Sequence, residues 1–243
     1  MTGSTVREER LRALEAGSDE FVAKPFDIEE LLIRVRSLLR TKRVTDHLVS
    51  HESVVIALAK TVEARDNYTE KHLRRVADRA VEVARRLGIS ERETEGVRLG
   101  GLLHDLGKIA VPDRVLLKAG PLDRNEFALV KKHPEAGAEI VRPLRSFEAP
   151  EPVVLHHHER FDGTGYPYGL RGKEIPQSAR IVAVADSFDA MTTDRPYRAG
   201  LPYEEAFQRL EDGRESQWDP DAVDAFLTAY AGSTDANGAL EGA

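Results

Sequence analysis

Leu102-Leu103-His104-Asp105-Leu106-Gly107-Lys108 is the stretch on which the reading of this chain turns. Leucines bury readily, whereas an adjacent imidazole and carboxylate resist burial unless something compensates them. A divalent cation is the simplest compensation, because it takes neutral imidazole nitrogen and carboxylate oxygen together. The chain has no cysteine, so disulfides and thiolate ligands are excluded and any metal must sit on nitrogen and oxygen.

Working outward from this stretch, the chain reads as helices. Ser90 to Glu93 is a capping box opening a helix that runs through Val97 and Leu99 into His104-Asp105. Before it, Asp66 to His72 leads into an amphipathic helix from Leu73 to Leu87, ended by Gly88. After it, Val111-Pro112-Asp113 reads as a loop, and Asp123 caps a helix that breaks at His133-Pro134. Further helices are predicted over 134–144, 180–191, 204–210 and 220–230, the last capped by Asp219. From residue 41 onward there is almost no alternating strand pattern, so the main domain, 66–230, is expected to be all-α.

Composition allows this. With 243 residues, 41% hydrophobic and 32% charged, the chain is large enough for a substantial core. No apolar run reaches the length of a membrane span, and the amino terminus shows no signal-peptide pattern, so a cytoplasmic protein is expected. A net charge of -7 argues against a non-specific grip on a long nucleic acid. It does not exclude a small phosphorylated ligand, since a local metal or arginine inverts the field inside a pocket.

Residues 1–40 are of another kind. A helix over Glu8–Ala16 stops at Gly17, Phe21-Val22-Ala23 reads as a short strand, and Asp27 caps a second helix through Leu39. Ala13-Leu14-Glu15-Ala16-Gly17-Ser18-Asp19-Glu20-Phe21 with Lys24-Pro25-Phe26-Asp27 resembles the carboxy-terminal part of a response-regulator receiver domain. The resemblance implies a small α/β remnant in which Lys24 matches the family's lysine that faces the phosphorylated aspartate, and the phospho-acceptor strands are missing. Residues 41–65 read as a linking helix, with Leu48, His51, Val55, Leu58 and Val62 at seam spacing. Residues 44–62 are therefore a candidate homodimer coil, and a helix packed on its own domain fits the same spacing. Residues 231–243 are small and polar and read as a disordered tail.

Five of the eight histidines, His72, His104, His133, His157 and His158, sit at helix ends or beside other ionisable groups. Asp105 and Asp186 add carboxylates, Asp186 within the apolar run Val182-Ala183-Val184-Ala185. Taken singly each is better read as a satisfied core or surface residue. As a set they suit iron, manganese, zinc or nickel, and Asp105 could bridge two ions. Two ions about 3.5–4 Å apart clamp both oxygens of an in-line phosphoryl displacement.

His104-Asp105-Leu106-Gly107-Lys108 followed by His157-His158-Glu159-Arg160-Phe161-Asp162-Gly163-Thr164-Gly165-Tyr166-Pro167 resembles the HD-GYP family of metal-dependent phosphodiesterases, across roughly residues 50–230. The resemblance implies a helical HD-domain bundle that hydrolyses cyclic di-GMP to pGpG or GMP in a second-messenger setting. It places metal ligands on His72, His104, Asp105, His133, His157, His158 and Asp186. Where some members carry a glutamate for a third metal this chain has Tyr68, with Glu70 on the wrong face, so two ions are expected, iron or manganese first, with zinc, nickel or magnesium open. Lys108 is expected to stabilise charge or donate a proton at the phosphate. Gly163, Gly165, Tyr166 and Pro167 match the substrate loop, with Tyr166 as a stacking face; Arg195 and Arg198 match positions that grip guanine or phosphate. Asp66, Glu159 and Asp162 are expected to orient the ligands. A different cyclic dinucleotide, a nucleotide monoester, or a catalytically silent sensor remain open as alternatives.

Overall fold

A computed structural model describes residues 56–57, 59–62, 70–143, 150–194 and 199–230. All of them fall within a compact unit running from Val54 to Ala243. The receiver-like segment, Leu48, His51, Val55, Leu58, Asp66, Tyr68, Arg195, Arg198 and the 231–243 tail lie outside the described residues.

Besides helical residues at 56–57 and 59–62, nine α-helices and two 3-10 turns are described, and no described residue lies in a strand. Helix α1 (Glu70–Arg86) is amphipathic: Leu73, Val76, Ala77, Ala80, Val83 and Ala84 recur at helical spacing and are all buried. Gly88 ends it at φ 70°, the left-handed conformation that glycine adopts without strain. Two residues on, Ser90 Oγ accepts the Glu93 amide and opens α2 (Glu91–Leu103), as its capping box predicts.

The order continues with a 3-10 turn (Leu106–Ala110), α3 (Asp113–Leu116), α4 (Arg124–Val130), α5 (His133–Val141) and α6 (Glu151–His156). A second 3-10 turn (Gly172–Glu174) precedes α7 (Gln177–Thr192), α8 (Tyr203–Asp212) and α9 (Pro220–Tyr230). Several boundaries shift by a few residues, the helix expected over 134–144 ending at Val141, and two differ in kind. The helix expected to run into His104-Asp105 stops at Leu103 and tightens to 3-10 geometry, and the expected loop at Val111–Asp113 opens α3 after Pro112. Both follow from local chemistry that periodicity does not register: Gly107 weakens an α-helix, and a proline at the cap starts a new turn.

Helix α7 is the centre of the bundle. Ala179, Ile181, Val182, Val184, Ala185 and Phe188 are buried around most of its circumference, against Val76, Ala80 and Val83 of α1 and Leu210 and Phe226 of α8 and α9. Burying each large side chain there contributes roughly 1.5–3 kcal/mol. A smaller cluster joins Ala59 and Val62 to Leu73, Leu103, Leu106, Val141 and Val154. Val62, an expected dimer-seam position, is thus buried in its own unit. No helix of the described residues is long and apolar enough to cross a membrane.

Glycines set the approach of α2 to its neighbours. A Cβ on Gly100 would lie 2.5 Å from Val153 Cβ, and one on Gly101 3.1 Å from Ala77 Cα. Gly107 and Gly137 meet backbone to backbone: a Cβ on Gly107 would lie 1.8 Å from His133 O and 2.5 Å from Gly137 N. These contacts bring the ends of α2, α5 and α6 together.

Candidate metal centre

The histidines at those helix ends are oriented by the helices themselves. The last carbonyls of a helix have no amide partner within it. His104 Nδ1–H donates to Gly101 O at 2.7 Å, His133 Nδ1–H to Val130 O at 2.8 Å, and His157 Nδ1–H to Val154 O at 3.0 Å. A carbonyl only accepts, so Nδ1 carries a proton on each ring, and the neutral tautomer this selects has its lone pair on Nε2. His72 is held differently: its Nδ1–H donates to Asp189 Oδ2 at 2.7 Å.

The donor atoms converge in two sets. Asp105, His133, His157 and His158 offer atoms that all lie within 4.8 Å of one another, and so do His72, His104 and Asp186. Asp105 spans the two: Oδ2 is 3.3 Å from His104 Nε2 in one set, and Oδ1 is 3.2 Å from His133 Nε2 in the other. Asp186, 23% exposed, faces the open side, with Oδ1 3.7 Å from His72 Nε2 and 3.8 Å from His104 Nε2. All seven sequence-expected ligands are therefore brought together.

The donor set fits divalent metal. His133 Nε2 and His157 Nε2 are 3.3 Å apart, and buried Asp105 Oδ1 accepts no hydrogen bond. Relieving the contact by protonation is disfavoured, because burial first, and then the neighbouring imidazoles, hold the His157 and His158 pKa values below the ordinary range, His158 well below. Burial pushes the Asp105 carboxyl up, yet the Lys108 ammonium 2.8 Å away and His104 leave it well below the usual carboxylate range. Neutral imidazoles and an ionised carboxylate are the protonation states a metal requires.

Lys108 reaches Asp105 from the 3-10 turn, three residues on, and lines a cavity of about 380 Å³ with Asp105, His133, His157, Tyr166 and Asp186. The loop after α6 closes one wall. Gly165 packs where a Cβ would lie 2.3 Å from Arg160 N, so this glycine serves the loop's own fold. Tyr166 stacks on His158 with centroids 4.7 Å apart and planes at 28°, and burial holds its phenol above the ordinary value, neutral. Pro167 follows it in the same loop.

Two expected orienting residues do other work. Glu159 accepts the Tyr168 and Leu170 amides at 2.8 and 3.1 Å, bracing the loop. Asp162 pairs with Arg160 and accepts from Thr164, which holds its carboxyl below the usual range. Neither contacts a histidine of the two sets; a carboxylate beside histidines in sequence does not reveal which amides the loop turns toward it. The orienting carboxylate that sequence reasoning missed is Asp189. Fully buried, it also accepts from Arg75 Nε at 2.6 Å and Nη2 at 2.8 Å, and from Arg79 Nη1 at 2.5 Å. Burial alone would raise its pKa; Arg75, His72 and Arg79 hold it below the ordinary carboxylate range. The available signal was the spacing His72, Arg75, Arg79 on one helix face, an arrangement that needs a buried acid opposite.

Comparison with known proteins adds three findings. The model of the HD domain family matches residues 53–222. A cyclic di-GMP phosphodiesterase of Thermotoga maritima is 36% identical over 92% of this chain and 68% of its own length. The cyclic di-GMP phosphodiesterase response regulator RpfG of Xanthomonas campestris is 39% identical over 91% of this chain and 64% of its own, and the chain spans 45% of the phosphodiesterase PA4108 of Pseudomonas aeruginosa at 39% identity. Among solved structures, a cyclic GMP-AMP specific phosphodiesterase of Vibrio cholerae (TM-score 0.59, 20% identity, 73% of this chain and 48% of that one) shares the fold. So does an HDG"Y"P protein of Bdellovibrio bacteriovorus (TM-score 0.54, 23% identity, 93% and 79%).

Proposed function

The chain belongs to the HD domain family, and on that premise we propose that it is a metal-dependent phosphodiesterase that hydrolyses cyclic di-GMP to pGpG or GMP. The observation that carries the reading is Asp105, whose two oxygens each face one set of imidazoles. Relatives at 36–39% identity are named cyclic di-GMP phosphodiesterases, which supports the substrate.

In this reading His133, His157 and His158 would hold one ion and His72, His104 and Asp186 a second, with Asp105 as a candidate ligand to either. Two divalent ions, iron or manganese first, would supply Lewis-acid activation of water and neutralise charge on the phosphate. The chain's own residues do the rest. The Nδ1 hydrogen bonds keep four Nε2 lone pairs aimed inward, and Lys108 sits beside Asp105 to stabilise the developing phosphate charge and to give a proton to the leaving 3′-oxygen. Tyr166 and the loop from Gly163 to Pro167 form the wall against which a base rests, and Arg195 and Arg198 contribute guanidinium groups for guanine or phosphate. Residues 66–230 form the catalytic domain, and residues 1–40, read as part of a receiver, set it in a two-component context like that in RpfG's name.

The test is hydrolysis of cyclic di-GMP by protein reconstituted anaerobically with ferrous iron or manganese, beside His104→Ala and Asp105→Ala. Formation of pGpG or GMP by the parent and by neither variant is expected. Binding without cleavage by fully metallated protein would make it a sensor instead. Faster cleavage of 3′3′-cGAMP, the substrate in the name of a Vibrio cholerae relative 38% identical over 73% of this chain, would move the substrate to that dinucleotide.

A further inference from the structure

The cavity beside the metal centre is small for a ligand carrying two purines: about 380 Å³ is near the low end for sites that enclose small molecules. Such a ligand must continue past the rim, and the rim on the Tyr166 side is built from α4. Val130 of that helix lines the cavity. Phe127 lies three residues before it and Lys131 four after Phe127, so the three share one helical face.

Phe127 is 44% exposed, which for a lone phenylalanine would need no explanation. Its company does. The Phe127 and Tyr166 rings meet edge to face, centroids 6.4 Å apart at 79°, and Lys131 Nζ sits 4.9 Å from the Phe127 centroid and 5.3 Å from that of Tyr166. Tyr166 in turn stacks on His158. A continuous path of rings therefore leads from the metal centre to solvent and ends in an exposed aromatic face with an ammonium beside it. That pairing of a stacking platform with a positive charge is what binds nucleotides from single strands.

We propose that Phe127 and Lys131 form the subsite for the second nucleotide of a cyclic dinucleotide: its base stacks on Phe127 and its phosphate, the one not at the metals, is met by Lys131. The inference rests on the dinucleotide reading above and extends it to residues outside the metal centre and the Gly163–Pro167 loop. Stacking fixes that a second base is present without reading its edge, so this subsite selects dinucleotides over mononucleotides rather than guanine over adenine.

The experiment is calorimetric titration of manganese-loaded protein with a phosphorothioate analogue of cyclic di-GMP that resists hydrolysis, and separately with GMP. Phe127→Ala is expected to weaken the dinucleotide at least fivefold, the low end of base–aromatic stacking, while GMP, which lacks a second base, shifts less than twofold. Phe127→Trp is expected to restore tight binding, which separates loss of a stacking face from a folding defect. Lys131→Met is expected to flatten the dependence of affinity on salt. If the dinucleotide binds Phe127→Ala and Lys131→Met as it binds the parent, the subsite is overturned and the substrate reading stands. If the parent itself does not bind the dinucleotide analogue, the substrate reading falls and the subsite with it.

Discussion

His72 Nδ1 lies 2.7 Å from Asp189 Oδ2, a carboxylate fully shielded from solvent that is also clamped by Arg75 and Arg79. The other three oriented histidines rely on helix-end carbonyls, so His72 is the ring whose tautomer depends on a side chain that substitution can remove. Asp189→Asn is expected to lower affinity for the ion at His72, His104 and Asp186 by about 10–100-fold, the usual effect of losing such a partner. It also leaves two cations facing a neutral amide, which costs about 3–5 kcal/mol when the pair is buried. Metal titration followed by elemental analysis, with urea unfolding of the chelated protein alongside, checks both; unchanged stoichiometry and affinity would count against the assignment.

Gly107→Ala places a methyl where His133 O and Gly137 N now sit. Overpacking of this kind typically costs about 1–3 kcal/mol, and here relief requires α5 to move and to carry His133 away from Asp105. Both the urea midpoint and the affinity of the four-ligand set are expected to fall. Gly120→Ala, where nothing lies within 4 Å, is the control and should leave both unchanged.

Lys108→Met removes the cation that, against burial, holds the Asp105 carboxyl down. The carboxyl pKa then rises, protons compete with metal at higher pH, and the acid limb of metal binding moves upward. Turnover is expected to drop by about 10²–10³, the range for losing one preorganised charge stabiliser. Metal affinity measured from pH 5 to 8 separates the two effects; an acid limb that stays in place would show that Lys108 does not set the Asp105 charge.

Stability without metal should depend on pH in a definite direction. Burial lowers the pKa values of His156, His157 and His158 in the folded state, below about 6.5 in the unfolded chain. Their neutral forms therefore contribute stability that is complete above pH 6.5 and is lost as pH falls toward the folded-state values. Urea midpoints of chelated protein are expected to decline from pH 7 to 5. His158→Gln is expected to shallow that decline, and a slope unaffected by the substitution would remove His158 from the account.

Much of this was legible in the residues. The caps at Ser90 and Asp123, the stop at Gly88 and the apolar period of α1 and α7 mark helices by local chemistry, and the structure keeps them. The seven donors stood out because ionisable residues in apolar runs are conspicuous. Asp189 did not, because three residues after Asp186 it reads as the next acid on a helix, and its partners are more than a hundred residues away in sequence. The role of Gly107 was hidden for the same reason: a glycine shows that something passes close, but not what. Glu159 looked like a ligand partner by adjacency, and only the folded loop shows its oxygens turned to Tyr168 and Leu170.

The carbonyls that orient His104, His133 and His157 lie three residues before the ring they hold, and for His133 that carbonyl is the last of the preceding helix, α4. Each ring thus takes its orientation from a contact local in sequence. A cation acts on the docked arrangement and not on the separate helices, so manganese is expected to slow unfolding while leaving the refolding rate nearly unchanged. In that case a bound ion would act as a latch on the finished bundle, and chelation would be expected to speed its opening.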